Sequence, residues 1–267
     1  MRGQAGCLWI QGAGELASGI AMRLFRCGYK LIMAEIDNPL AVRRLVSFSE
    51  AVYEGALQVE GVPGVLCEPG EVVYRADQIA VVVDPGADLL KQLPAAAVID
   101  VRMTKQPPVA LPTGGAPVIG IGPGFRCGRD ADLIIETHRQ ARLGEVISVG
   151  EASPNTGIPG VVGGQTARRV VYAPCAGHLD PAVQLGDLVT EGQVLGTIAG
   201  QSIHSALDGR VRGLIHPRAE LSAGVKVADV DPRGAAIDPY LVSDKGLAIG
   251  GGVLEALLRL GIDPDRS

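Results

Sequence analysis

The sequence predicts an α/β protein with a parallel-sheet domain, a compact all-β module and a C-terminal helix. Three observations support this order. Over the first half of the chain, short apolar runs alternate with helical segments, which is typical of strands buried on both faces of a parallel sheet. A glycine-rich turn separates the first apolar run from the first amphipathic segment. Farther along, short alternating strands with regularly spaced turns replace this pattern.

The parallel-sheet domain is predicted over residues 1–150. Its strands are the apolar runs Leu8–Ile10, Leu31–Ala34, Ile79–Val83, Ala97–Ile99 and Val118–Ile121. Its helices are predicted at Glu15–Arg26, followed by Gly28, and at Glu136–Arg142, closed by Gly144. Short runs between Phe48 and Leu66, separated by glycines, predict a small antiparallel insert.

The glycine turn predicts where a ligand binds. Gly12 makes the tight turn, Gly14 lets a ligand approach, and Ala17 allows close helix–strand packing in the phrase that ends at Gly19. Backbone N–H groups at such a helix N-terminus face a phosphate. Glu35 ends the next strand about 20 residues later, where a carboxylate can accept hydrogen bonds from ribose hydroxyls. The first domain is therefore predicted to be Rossmann-like, and an empty turn remains the alternative.

Polar residues after the other strands extend this candidate site. Asp84-Pro85-Gly86, Asp100 with Arg102 and Lys105, and Gly122-Pro123-Gly124 all follow predicted strands. Strand carboxyl ends meet at one edge of a parallel sheet, where ligands of open α/β folds bind. The alternative for Asp100, Arg102 and Lys105 is a solvated loop with local ion pairs.

Two further arginines are candidates for a second phosphate. Arg43 and Arg44 follow the second strand, and guanidinium groups bind phosphate through paired hydrogen bonds. The alternative is a solvated helix face.

The all-β module is predicted over residues 165–233. The phrases Gly186–Leu195 and Ala206–Val211 resemble the biotinyl/lipoyl-type barrel-sandwich hybrid. Carrier proteins of that fold have a lysine at a hairpin tip, but the corresponding turn here is Gly200-Gln201-Ser202. The resemblance therefore implies a structural or docking module that carries no covalent cofactor.

A C-terminal segment, residues 234–267, contains the second glycine run, Gly250-Gly251-Gly252, in a predicted helix. Each glycine inside a helix costs about 1 kcal/mol relative to alanine. The glycines form either an anion-facing turn before the helix or a surface for close packing against the first domain.

Composition excludes several functions. The net charge is −5 and aromatic residues make up 3% of the chain, which disfavours nucleic acid as a partner. No apolar run reaches membrane-spanning length and no signal pattern begins the chain, so a cytoplasmic protein is expected. The five scattered cysteines predict reduced thiols, and cations beside Cys127 raise the alternative of a reactive thiol that handles sulfur or selenium. The four histidines form no ligand spacing, so no metal site is predicted.

Several phrases together resemble one family, the YqeB-type accessory proteins of selenium-dependent molybdenum hydroxylases. They occur in the family's order and run nearly end to end: Gly12–Gly19, Val42-Arg43-Arg44 with Ser47-Phe48, Gly120–Phe125, Asn155–Gly160, Ser243-Asp244-Lys245 and Ile249–Glu255. The resemblance implies a factor that matures a molybdenum hydroxylase at the step handling selenium or the pterin cofactor. No catalytic residue is carried over.

The expected function is therefore maturation of a molybdenum hydroxylase client, with a nucleotide (NAD-like) or molybdopterin bound at the glycine turn. Two alternatives stay open: an NAD-dependent oxidoreductase, and a non-catalytic scaffold with an empty turn. No proton-relay pair for hydride transfer is evident. The sequence leaves open whether the chain is an enzyme and whether it forms a homo-oligomer.

Overall fold

The protein is described by a computed structural model that covers residues 6–103, 108–155 and 161–264. The chain forms two compact units. Unit 1 comprises Met1–Asp37, Ser47–Thr156 and Val242–Ser267, and unit 2 comprises Asn38–Val46 and Gly157–Leu241. The domain predicted over residues 1–150 includes residues 38–46, which belong to unit 2 in the structure.

Unit 1 contains a nine-stranded sheet in the order β3-β4-β5-β2-β1-β6-β7-β8-β9. Its strands are β1 Cys7–Gln11, β2 Lys30–Glu35, β3 Ala56–Val59, β4 Val62–Leu66, β5 Ile79–Val83, β6 Ala97–Asp100, β7 Val118–Ile121, β8 Leu133–Ile135 and β9 Val146–Ile147. All strands between the two edge strands of this sheet pair parallel with one another. The edge strands β3 and β9 pair antiparallel with their neighbours β4 and β8.

In the part of unit 1 that the structure describes, the helices are α1 Glu15–Arg26, the single turn α2 Ala51–Glu54 and α3 Asp244–Arg259, with 3-10 turns at Phe48–Glu50 and Asp88–Lys91. The five predicted strands and the first helix all occur, since apolar runs and an amphipathic period identify these elements locally. Every residue of β1 is buried, as expected for a central strand.

The Rossmann-like parallel-sheet prediction was wrong. The sheet is mixed, and the described residues between β5 and β8 contain one 3-10 turn but no α-helix to cross between strands. In the connection between β6 and β7, Pro112, Gly114, Gly115 and Pro117 disfavour a helix. Gly114 and Gly115 adopt positive φ angles of 62° and 90°.

The helix predicted at Glu136–Arg142 is also absent, because these residues form turns. The Glu136 carboxylate accepts hydrogen bonds from the N–H groups of Thr137 and His138, each at 2.7 Å. These local bonds satisfy the backbone donors without a helix.

The described residues of unit 2 form seven short strands in two antiparallel sheets, together with 3-10 turns at Arg44–Val46, Ala167–Arg169 and Gly234–Ala236. The strands are β10 Val170–Tyr172, β11 Leu179–Pro181, β12 Leu188–Val189, β13 Val194–Ile198, β14 Gln201–His204, β15 Gly209–Leu214 and β16 Lys226–Asp231. One sheet has the order β10-β16-β15-β12 and the other has the order β11-β13-β14.

The barrel-sandwich hybrid prediction was wrong as well. The strands were expected from their spacing, but they build separate sheets of four and three strands. Their registers shift within the β10–β16, β13–β14 and β15–β16 pairs. Such bulges bend and twist strands in ways that alternation of polar and apolar residues does not reveal.

Helices α1 and α3 of unit 1 pack with their backbones in close contact. A Cβ atom built on Gly19 would lie 3.1 Å from the Cα of Gly246, and one built on Gly250 would lie 3.2 Å from the Gly19 carbonyl oxygen. The same Cβ on Gly250 would lie 3.3 Å from the Ile20 Cα, and the Tyr29 hydroxyl after α1 donates to the Ile262 carbonyl after α3 at 2.7 Å, so the two helices run in the same direction. The second glycine run lies inside α3, and the close-packing alternative is confirmed.

Within the described part of the chain, no helix combines the length and apolar character that crossing a bilayer requires.

Candidate functional site

The glycine turn follows β1 at the carboxyl edge of the parallel strands. Gly12 has a φ of +106°, which favours glycine, and its N–H donates to the Ala34 carbonyl at 2.7 Å. A Cβ on Gly12 would also lie 3.1 Å from the Val101 carbonyl oxygen. Gly12 is therefore required by the backbone itself, whether or not a ligand binds.

Gly14 differs from Gly12 in its backbone conformation and in the space around its Cβ position. It caps the N-terminus of α1 in an extended conformation, with φ −68° and ψ −176°, that any residue adopts. A Cβ on Gly14 would meet nothing within 4 Å, so the space beside it is open. No side chain caps this helix N-terminus, where the first-turn N–H groups lack intrahelical acceptors. Neither conformation nor packing accounts for a glycine here.

Glu35 lies beside the turn and holds it. One carboxylate oxygen accepts the Ala13 N–H at 2.7 Å, and the other accepts the Ile36 N–H at 2.9 Å. Burial raises the pKa of Glu35, while these two backbone donors act in the opposite direction. The carboxylate predicted to bind ribose thus supports the turn directly, and each oxygen retains acceptor capacity.

Ala17 and Gly19 are packing residues in this structure. Ala17 is buried, and Gly19 faces Val242 and Gly246 at the contact with α3. Their small size serves helix packing in the first two turns of α1, while the open space lies at Gly14.

The carboxylates at the carboxyl ends of β5 and β6, Asp84 and Asp100, already have hydrogen-bond partners within the protein. Asp84 accepts the N–H groups of Asp88 and Leu89 at 3.0 and 2.9 Å. Asp100 is 2% exposed and forms a paired hydrogen bond with Arg102, with a shortest distance of 2.6 Å. The local ion pair given as the alternative for Asp100 and Arg102 is thus observed. Lys105 lies outside the described residues.

Arg43 and Arg44 belong to unit 2, whereas the glycine turn belongs to unit 1. Arg43 is buried and donates to the Leu241 carbonyl at 3.0 Å, and Arg44 donates to the Leu214 carbonyl at 2.7 Å. These guanidinium groups hold together segments of unit 2 that are distant in sequence. The structure does not bring them into one unit with Gly12, Gly14 and Glu35.

The structure adds residues that were not predicted as site residues. Arg139, in the loop after β8, forms two hydrogen bonds with Asp244 of α3 at 2.6 and 2.7 Å. The next residue, Lys245, is half-buried and lies within the electrostatic reach of Arg139, Glu15 and Glu136. We call the Gly12–Gly14 turn, the first turns of α1 and α3, and the Glu136–Arg139 loop the carboxyl-edge site.

Sequence reasoning missed Lys245 because its neighbours are distant along the chain. Ser243-Asp244-Lys245 is one of the phrases that carry the family resemblance, and this was the available signal. Only the packing of α3 on α1 brings the lysine to the edge where β1 and β8 end.

The pKa values of Lys245 and Glu136 are both lowered, but for different reasons. Burial lowers the pKa of Lys245, the positive charge of Arg139 lowers it further, and Glu15 and Glu136 act against this change. Burial alone would raise the pKa of Glu136, but hydrogen bonds from Ser153, His138 and Thr137 outweigh it and lower the pKa. Glu136 is therefore held as a carboxylate by backbone donors.

Cys127 lacks the features of a reactive thiol. Burial raises its pKa, and the negative charge of Asp132 raises it further. The thiol donates to the Ile147 carbonyl at 3.3 Å. The neighbouring arginines interact instead with acids, Arg129 with Asp130 at 2.8 Å and Arg126 with Glu151 at 3.9 Å. These observations favour an inert cysteine.

The chain is 44% identical over 255 residues to the "Uncharacterized protein YqeB" of Escherichia coli strain K12. This chain is YqeB-like in sequence. The match covers 94% of this chain but 47% of that protein, so the chain spans about half the length of its relative. No protein-family model matches the YqeB-like chain.

Two solved structures have a weak likeness to the YqeB-like chain. An aspartoacylase family protein from Mesorhizobium loti is 12% identical with a TM-score of 0.27, and 86% of each chain is covered. The ectoine utilization protein EutE (DoeB) from Ruegeria pomeroyi is 12% identical with a TM-score of 0.25, covering 86% of this chain and 87% of that one. TM-scores this low carry no inference about fold or activity.

Proposed function

We propose that this YqeB-like chain is an accessory factor that matures a selenium-dependent molybdenum hydroxylase. In this proposal it binds a phosphate-bearing ligand, a nucleotide or a molybdopterin, at the Gly12–Gly14 turn of unit 1. The accessory role is what the family resemblance of the sequence phrases implies, and the similarity to YqeB supports membership in that family. The ligand half of the proposal rests on the turn itself.

The observation that carries the ligand half is the open space at Gly14. A glycine whose conformation any residue could adopt, with nothing within 4 Å of its Cβ position, suits close approach by a ligand. The uncapped N-terminus of α1 offers N–H donors and a positive dipole end to a phosphate there. Glu35 retains acceptor capacity for a sugar hydroxyl beside the same turn.

Isothermal titration calorimetry with NAD, ATP, CTP and molybdopterin derivatives tests the ligand half. We expect one of these to bind the wild type and Gly14→Val to weaken that binding at least about tenfold. Because the Gly14 backbone accepts a side chain, Gly14→Val should retain the wild-type melting temperature. Gly70→Val is a matched control, since Gly70 also has open space and no positive φ.

Two results would overturn the ligand half. One is the absence of heat with every ligand on wild type, which would favour the scaffold with an empty turn. The other is equal binding by Gly14→Val and Gly70→Val. A bound ligand at 100 times its Kd should add about 2.7 kcal/mol of stability, so thermal shift provides an independent check.

A pull-down from a producing strain tests the client half. The tagged chain should enrich a molybdenum hydroxylase, identified by mass spectrometry, relative to a tagged unrelated protein. Failure to enrich any molybdenum hydroxylase in cells that make one would contradict the accessory role.

A further inference from the structure

The Gln11 side chain, which comes directly before the glycine turn, is buried and hydrogen-bonded through both its oxygen and its nitrogen. It is 2% exposed, and its oxygen accepts the Trp9 indole N–H at 2.9 Å. Its nitrogen donates to the carbonyls of Asp84 and Pro85 at 3.1 and 3.2 Å. A side-chain amide nitrogen has two donors, so Gln11 uses both to hold two consecutive carbonyls of the chain after β5.

These hydrogen bonds connect strands that are not neighbours in the sheet. Strand β2 lies between β1 and β5, so Gln11 at the end of β1 reaches the loop after β5 over the end of β2. Glu35, at that end, accepts the Asp84 N–H on its carbonyl at 3.0 Å and the Ala13 N–H on its carboxylate at 2.7 Å. The N–H and the carbonyl of Asp84 are thus both bound by residues that adjoin or contact the glycine turn. The loop Asp84–Gly86 therefore borders that turn.

The exposed part of this loop is held from both ends. Pro85 and Gly86 are exposed, and Gln11 fixes the carbonyls at the start of the loop. On the other side, the Asp84 carboxylate accepts two N–H groups of the following 3-10 turn at 3.0 and 2.9 Å. The backbone at the loop tip is therefore fixed by side chains of the protein itself.

We infer that Gln11 is a positioning residue of the proposed ligand site. It fixes the Asp84–Gly86 loop beside the Gly12–Gly14 turn, so that a ligand bound at the turn also contacts the exposed tip of this loop. A loop that is fixed before binding loses little conformational freedom when the ligand binds, which increases affinity. The inference rests on the proposed function and adds a second contact region to its site.

Hydrogen–deuterium exchange with mass spectrometry tests the positioning on the full chain without a ligand. Gln11→Met keeps a side chain of similar length but has no donor for the two loop carbonyls. Backbone amides of residues 84–89 should therefore exchange at least about fivefold faster than in wild type. Unchanged exchange in this segment would overturn the inference.

Tyr29→Phe is the matched control. It removes a buried hydrogen bond to a backbone carbonyl, that of Ile262, from a residue that precedes β2 at the opposite edge of the sheet. It should leave exchange in residues 84–89 as in wild type. Equal acceleration in Tyr29→Phe and Gln11→Met would indicate general loosening of unit 1 and would also reject the assignment.

Calorimetric titration of the same variants with NAD, ATP, CTP and molybdopterin derivatives tests the role in binding. Gln11→Met should bind the ligand that wild type binds at least about tenfold more weakly, whereas Tyr29→Phe should bind it as wild type does. Equal affinities of the two variants would show that Gln11 has a structural role only. An absence of heat with every ligand on wild type would instead reject the proposed ligand binding itself, and the role of Gln11 with it.

Asp84→Ala tests the same loop while leaving Gln11 in place. It removes the acceptor of two N–H groups at the far end of the loop. Faster exchange over residues 84–89 together with weaker binding would support the inference, and faster exchange with wild-type affinity would overturn it. Weaker binding in Gly14→Val with wild-type affinity in Gln11→Met would retain the glycine turn and reject Gln11.

Discussion

The Glu35 carboxylate accepts a hydrogen bond from the Ala13 N–H at 2.7 Å, joining the end of β2 to the glycine turn after β1. We expect Glu35→Ala to lower the free energy of unfolding by about 1–2 kcal/mol, since a half-buried bond to a charged acceptor is lost. Urea denaturation measures this effect. Glu35→Gln keeps an oxygen acceptor and should lose less; an equal loss in both variants would contradict the assignment.

Glu136 should contribute to acid stability. Its folded-state pKa lies below the ordinary value of 4.5, so the unfolded chain binds a proton first as the pH falls. The stabilisation is fully present above pH 4.5 and is lost as the pH falls through the lowered pKa. Glu136→Gln should therefore be less stable than wild type at pH 7, and the difference should shrink towards acid pH in urea titrations. A constant difference would contradict the linkage.

Lys245 should have the opposite relation to stability. Its pKa is lowered by burial and by Arg139 against the opposing charges of Glu15 and Glu136, so the charged form is disfavoured in the folded state. Stability should rise as the pH increases through the lowered pKa towards 10.5. Lys245→Met should match or exceed wild-type stability at pH 7 and should lack this rise in urea denaturation. Marked destabilisation at pH 7 would indicate a structural role instead.

Two neighbouring glycines of α3 should have opposite effects on stability, because Gly252 packs against Gly144 and Ile135 whereas Gly251 has space around it. A Cβ on Gly252 would overlap the Gly144 carbonyl oxygen, whereas a Cβ on Gly251 would meet only Arg23 at 3.8 Å. Gly251→Ala should stabilise the protein by up to about 1 kcal/mol through helix propensity. Gly252→Ala should destabilise it by about 1–3 kcal/mol through overpacking. Thermal unfolding distinguishes the two, and equal shifts would reject the packing assignment.

Cys127 should react slowly with thiol reagents. Burial and Asp132 raise its pKa, whereas Cys27 is an exposed free thiol. Iodoacetamide at pH 7.5 should therefore label Cys27 well before Cys127, as followed by peptide mass spectrometry. Faster labelling of Cys127 would restore the reactive-thiol hypothesis.

Local chemistry in the sequence predicted the central strands, α1 and the tight turn at Gly12. Continuous apolar runs, a helical period and a glycine at positive φ each act over a few neighbouring residues. The fold class was not determined in this way. The short runs between Phe48 and Leu66 predicted the antiparallel β3–β4 pair, but not that this pair joins the edge of the main sheet. The parallel-sheet pattern also does not reveal connections without helices, and short alternating strands do not specify how sheets are divided.

For the candidate site, the sequence by itself determined the Gly12–Gly14 turn and placed Glu35 after the next strand. Only the tertiary structure decided which polar groups are occupied, because this depends on partners far along the chain or across a loop. Arg139 pairs with Asp244, and Arg43 donates to the Leu241 carbonyl of unit 2. Glycines also let α3 approach α1, as at Gly19 and Gly246, a contact between segments more than 200 residues apart.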